Sequence, residues 1–97
     1  MPESNPQIER RLRRVSQQLR LLRADLQVTD EQLNQLRDEA YDARVRALVS
    51  ETPLAEREHR RVSRHVERLS RHRDRVVGRI AELDATQDML LDRLSAP

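Results

Sequence analysis

The spacing of its apolar residues constrains this chain more than any other feature. Ile8, Leu12, Val15, Leu19, Leu22, Leu26, Leu33, Leu36, Ala40, Ala43 and Ala47 follow one another at alternating steps of four and three, with Thr29 filling the one gap. Two apolar positions in every seven describe a helix whose narrow stripe packs on another helix. The second half repeats the pattern through Ala55, His59, Val62, Val66, Leu69, Arg73, Val76, Ile80, Leu83, Gln87, Leu90 and Leu94. Three of these are polar, His59, Arg73 and Gln87, each fourteen residues from the next.

The two registers do not join. Past Ala47 the first repeat would continue through Ser50, Leu54 and Arg57, whereas the second uses Ala55 and His59. The break falls on Ser50, Glu51, Thr52 and Pro53. Thr52 suits a helix N-cap, and Pro53 suits the first helical position, where its missing N–H would be unpaired anyway. Glu56 and Glu58 then complement the positive end of the helix dipole. The pattern predicts one helix over about 6–50, a turn at about 50–53, a second helix over about 53–95 and loose ends at 1–5 and 95–97, all within a single domain 1–97. Folding back at residue 51 pairs seam residues whose numbers sum to 102, so that Leu19 meets Leu83, Leu33 meets Leu69 and Ala47 meets Ala55. Thr29 then faces Arg73, Val15 faces Gln87 and Ala43 faces His59.

Charge supports the same fold-back. Residues 1–23 hold six Arg against two Glu (+4), and residues 24–51 hold three Arg against seven acids (−4). Residues 52–79 hold nine Arg against four acids (+5), and residues 80–97 one Arg against four acids (−3). A hairpin sets blocks of opposite sign side by side, whereas parallel self-pairing would set like charges together. Asp25 is expected beside Arg79, Glu39 beside His65, Arg46 beside Glu58 and Arg44 beside Glu56, with Arg11 opposite Arg93 the one conflict. The expected fold is therefore all-α, an antiparallel two-helix coiled-coil hairpin that dimerises into a four-helix bundle.

Composition closes off other classes. Among 97 residues there is one aromatic, Tyr41, one Gly and no Cys, and 37% are charged. No disulfide, thiolate site or Gly-rich phosphate loop can be built from these. No stretch approaches the roughly 18 apolar residues of a membrane span, and the start lacks a secretory pattern, so a cytoplasmic protein with no membrane partner is expected. His59, His65 and His72 are too far apart to chelate one metal ion along a helix. No nucleophile, base and acid stand in a recognisable arrangement, so neither enzyme activity nor a cofactor is expected.

Apolar residues off the seam point to partners instead. Tyr41, Val45 and Leu48 follow i, i+4, i+7 spacing on the outer side of helix 1, and with Val49 and Leu54 they form a patch near the turn. Such a patch reads as a protein-binding or self-association surface. Val77, Ala81 and Leu91 form a weaker outer stripe on helix 2, on an edge where Ser16, Ser63 and Ser70 keep charge low, and this edge is expected to serve a homodimer. Arg73 in the seam needs a carboxylate; Asp30, beside Thr29, is the candidate, and Thr29, Asp30 and Arg73 form an expected register-setting polar layer.

The expected role is a non-enzymatic adaptor, scaffold or regulatory module working through the tip patch and the uncharged edge. One alternative is a transcription-associated regulator that binds RNA polymerase or a sigma factor. Another is an Arg-rich nucleic-acid-binding protein. All 19 basic residues are Arg, which fits either phosphate recognition or the codon bias of a GC-rich genome. Nucleic acid is the less favoured partner because the net charge is only +2 and no rings are available for base stacking. The basic stretch 57–79 also belongs to a helix already engaged in the seam.

Overall fold

A helix of this length forms because its non-seam positions are filled by Arg, Gln, Glu and Leu, all good helix formers. The computed structural model describes residues 4–96. Within them, α1 spans Asn5–Ser50 and α2 spans Pro53–Ser95, packed on each other as an all-α hairpin.

Both helix starts are capped by side chains. At α2, the Thr52 Oγ1 accepts from the Ala55 backbone N–H at 3.2 Å, and Pro53 takes the first helical position. At α1, the Gln7 N–H donates to the Ser4 Oγ at 3.4 Å while the Gln7 Oε1 accepts from the Ser4 N–H at 2.9 Å. This reciprocal pair is a capping box, and it starts α1 at Asn5, one residue before the expected boundary. Of the ends expected to be loose, Asn5 and Ser95 are helical; 1–3 and 97 lie outside the described residues. The turn is only Glu51 and Thr52. Glu51 takes a left-handed conformation (φ 51°) and its N–H donates to the Ala47 carbonyl at 3.1 Å, which closes the last turn of α1.

The contacts divide the chain into two compact units. A terminal unit joins the described parts of Met1–Leu26 and Val76–Pro97, and a turn unit is Gln27–Arg75. In the terminal unit Ile8, Val15, Leu19, Leu83 and Leu90 form a buried cluster, with Leu12, Leu22, Ile80 and Leu94 packed around it. In the turn unit Leu33, Ala43 and Val62 are buried together with Thr29, which is 2% exposed.

The two seam positions of α2 are not equivalent. In the terminal unit Val76, Leu83 and Leu90 are buried, while Ile80, Gln87 and Leu94 are half-buried. In the turn unit the contrast is weaker: Val62 is buried, but Ala55 and Leu69 at the same position are half-buried, as are His59, Val66 and Arg73. All three polar seam residues of α2 thus share the wetter position, where a polar head reaches water and desolvation costs little.

Charge pairs form both across the seam and along α2. Arg23 bonds Asp84 at 2.9 Å in the terminal unit, and Arg73 bonds Asp30 at 2.5 Å in the turn unit. Arg79 bonds Glu82 and Arg61 bonds Glu58, each within α2 at i, i+3 spacing. Of the α1 groups expected beside Arg79 and Glu58, Asp25 is also engaged in an interaction and Arg46 acts on Glu58 through its charge. A partner one turn away on the same backbone is reached with less ordering of long side chains. Arg11 and Arg93 are each engaged in an interaction.

Candidate interaction surfaces

The turn unit presents an apolar surface that its own fold leaves uncovered. On α1 the inner face here is Ala40, Ala43 and Ala47, too small to cover much surface. The larger residues Tyr41, Val45, Leu48 and Val49 lie on the opposite side by helical periodicity. Their exposures are 68%, 42%, 68% and 79%, and Leu54, just past the turn, is 71% exposed. Singly exposed apolar residues are ordinary, but five within fourteen positions form a patch.

The same unit holds the polar layer. Arg73 Nε donates to Asp30 Oδ1, and this bond together with the nearby carboxylate holds the guanidinium even more firmly protonated than usual. Asp30, Arg73 and Asp74 line a groove of about 380 Å³ with Leu33, Asn34 and Arg37. Nearer the turn, the bidentate bond from Arg61 pulls the Glu58 carboxyl below its ordinary range, aided by the charge of Arg46 on α1.

The terminal unit carries the outer stripe of α2. Val77 is 40% and Leu91 46% exposed, and Ala81 is exposed as well. The stripe is not uncharged, because its heptad spacing continues through Asp84 and Asp88. The neighbouring lip of α1 is basic, with Arg13, Arg20 and Arg23. Leu12, Arg13, Ser16, Gln17, Arg20, Arg23 and Gln87 border a groove of about 620 Å³ over Leu19. Gln87 Nε2 donates to the Ser16 Oγ at 3.1 Å, so the polar seam residue finds a hydroxyl beside Val15. Arg23 is bound by Asp84, whereas Arg13, Arg20 and Asp88 make no hydrogen bond or ion pair among the described residues.

One surface escapes a reading by apolar spacing alone. Of the arginines between 57 and 75, only Arg73 lies on the seam; the others are exposed. The seam therefore absorbs Arg73 and leaves the other arginines of this basic stretch on the surface. The signal was present in the step of four and three between successive arginines, which block totals conceal.

Among the described residues no three His, Asp or Glu side chains converge as metal ligands, and no helix is long and apolar enough to cross a membrane. Comparison of the chain with known protein families, characterised proteins and solved structures finds no match.

Proposed function

We propose that this chain is a non-enzymatic, cytoplasmic protein-interaction module, a helical hairpin that docks another protein on the patch beside its turn. The observation that supports this most is the exposure of Tyr41, Val45, Leu48, Val49 and Leu54 on one compact unit. Tyr41 and Leu48 are the anchors, since a large ring and a branched side chain one turn or two apart fill an apolar groove on a partner. Placing a photo-crosslinking residue at Leu48, with exposed Glu31 of the same unit as control, tests the reading in cells. A heterologous adduct at position 48, lost in Tyr41→Ala and absent from the control, supports it. Adducts only between copies of this chain would instead make the patch a self-interface and give the protein a structural role.

Self-association belongs, in this reading, to the terminal unit. Its α1 lip carries Arg13 and Arg20, and its α2 lip carries Val77, Ala81, Asp84, Asp88 and Leu91. The Ser16–Gln87 bond sets the level of one helix against the other. If α1 of one copy lies against α2 of a second at that level, Arg13 meets Asp88, Arg20 meets Asp84, and the apolar side chains close over Leu12. A two-fold axis makes each contact twice. Arg13→Asp or Asp88→Arg alone is expected to weaken the dimer about tenfold, and an equimolar mixture of the two variants to recover it. Sedimentation equilibrium reads both outcomes; a mixture no tighter than its parts rules the arrangement out.

A further inference from the structure

A third surface has a different chemistry. Arg57, Arg61, Arg64, Arg68, Arg71 and Arg75 succeed one another at steps of four and three along α2. That is the rhythm of the seam, displaced to the far side of the helix. All six are exposed, and all lie in the turn unit. Arg61 is bonded to Glu58. The other five make no hydrogen bond or ion pair among the described residues. No acidic residue interrupts the stripe; Glu67 and Asp74 stand on its flank.

Over the eighteen residue steps from Arg57 to Arg75, the stripe sets one guanidinium about every 5 Å along some 27 Å of helix axis. Fixed cations at that spacing repel one another, and the repulsion is relieved by a polyanion of similar spacing. Guanidinium forks match phosphate oxygens in bidentate fashion. Firm seating on an anionic lipid surface takes apolar side chains among the cations, and between Arg57 and Arg75 the apolar residues Val62, Val66 and Leu69 all lie on the seam. A single strand would need rings for its bases, and the stripe has none. A duplex needs neither. Its phosphates, one per 3.4 Å of each strand, can be bound through the backbone alone.

We propose that the outer face of α2 in the turn unit binds the phosphate backbone of double-stranded nucleic acid without reading its sequence. The stripe begins one turn beyond Leu54 of the apolar patch, on the same face of α2, but shares no residue with that patch or with the self-association edge, so variants of its arginines test it apart from them.

The test uses the full chain with labelled DNA and RNA duplexes of one sequence, the corresponding single strand and anionic vesicles, followed by anisotropy or co-sedimentation across salt. Duplex binding at about 50 mM salt is expected, with a log–log salt slope of roughly −4 to −6 for DNA if five or six phosphates are contacted. Arg64→Gln/Arg71→Gln should weaken binding roughly tenfold or more at 0.1 M salt and flatten the slope by about 2. Arg10→Gln/Arg14→Gln, which removes the same charge from an exposed part of α1 outside both proposed interfaces, should leave the slope unchanged. Circular dichroism confirms that both variants remain helical, and the milder Arg64→Lys/Arg71→Lys should retain most of the slope while losing bidentate contacts. A preference for DNA or for RNA identifies the source of the phosphates, and equal binding marks backbone recognition common to both. No duplex binding at about 50 mM salt overturns the proposal, as does equal loss in the two Gln variants or binding confined to vesicles or single strands.

Discussion

Glu51 occupies the one backbone position among the described residues that favours glycine, and the single glycine occupies a position that does not. The left-handed conformation at Glu51 crowds its Cβ against the backbone. Gly78 is exposed within α2, and a Cβ built there meets nothing within 4 Å. Glu51→Gly is therefore expected to stabilise the protein by about 0.5–1 kcal/mol, less than the full relief because glycine also loosens the unfolded chain. Gly78→Ala should add about 1 kcal/mol by helix propensity alone. Thr52→Ala should cost about 1 kcal/mol, since the Ala55 N–H loses its acceptor. Urea titrations of the three variants check all of these, and a Glu51→Gly variant no more stable than the parent would mean the turn is not left-handed.

At the level of the helices, the seam was legible because burial follows a period that the residue types also follow: every expected seam position is buried or half-buried. The Thr52 cap was legible because threonine and proline adjoin at the phase break. The Ser4 cap was in the sequence too, as serine three before Gln7, but no change of register drew attention to it. Of the ion pairs, Arg73 with Asp30 was legible, because a guanidinium on the seam needs a carboxylate in its layer; the exposed pairs were not. Long side chains such as Arg79 choose between a neighbour on their own helix and one across the seam on margins of tenths of a kcal/mol. The unequal wetness of the two α2 positions was hidden as well, because a heptad string gives both the same rank. That inequality makes a prediction. Arg73→Leu should leave the melting temperature unchanged or raise it, because the ion pair is replaced by apolar packing at a half-buried site. Asp30→Ala should lower it. Hydrogen exchange near residues 29–33 should quicken in Arg73→Leu if the polar layer fixes register, and unchanged exchange would remove that role.

For the whole molecule, the near balance of charge is a property of neutral pH. Below about pH 3, with 17 carboxylates neutral and all 19 Arg and 3 His charged, the net charge climbs from +2 to about +22. The Glu58 carboxyl, held below its ordinary value of 4.5 by Arg61, favours folding above that value, and its contribution disappears as pH falls through the lowered one. Both effects act in the same direction, so the thermal midpoint should drop steadily from pH 5 to pH 3 and recover in part with added salt, which screens the repulsion. A midpoint independent of pH over that range would show that the charge blocks do not contribute to holding the hairpin.

The placement of Tyr41 has an optical consequence. With no Trp and no Phe, it is the chain's one fluorophore and sole near-ultraviolet chromophore, and it stands in the exposed patch beside the turn. Its emission reports from that surface alone. A partner seated there would shield the ring from a collisional quencher such as acrylamide, whereas a duplex bound along the arginines of α2 is expected to leave it open to the quencher. Unlabelled protein in a cuvette can thus distinguish the two kinds of occupant.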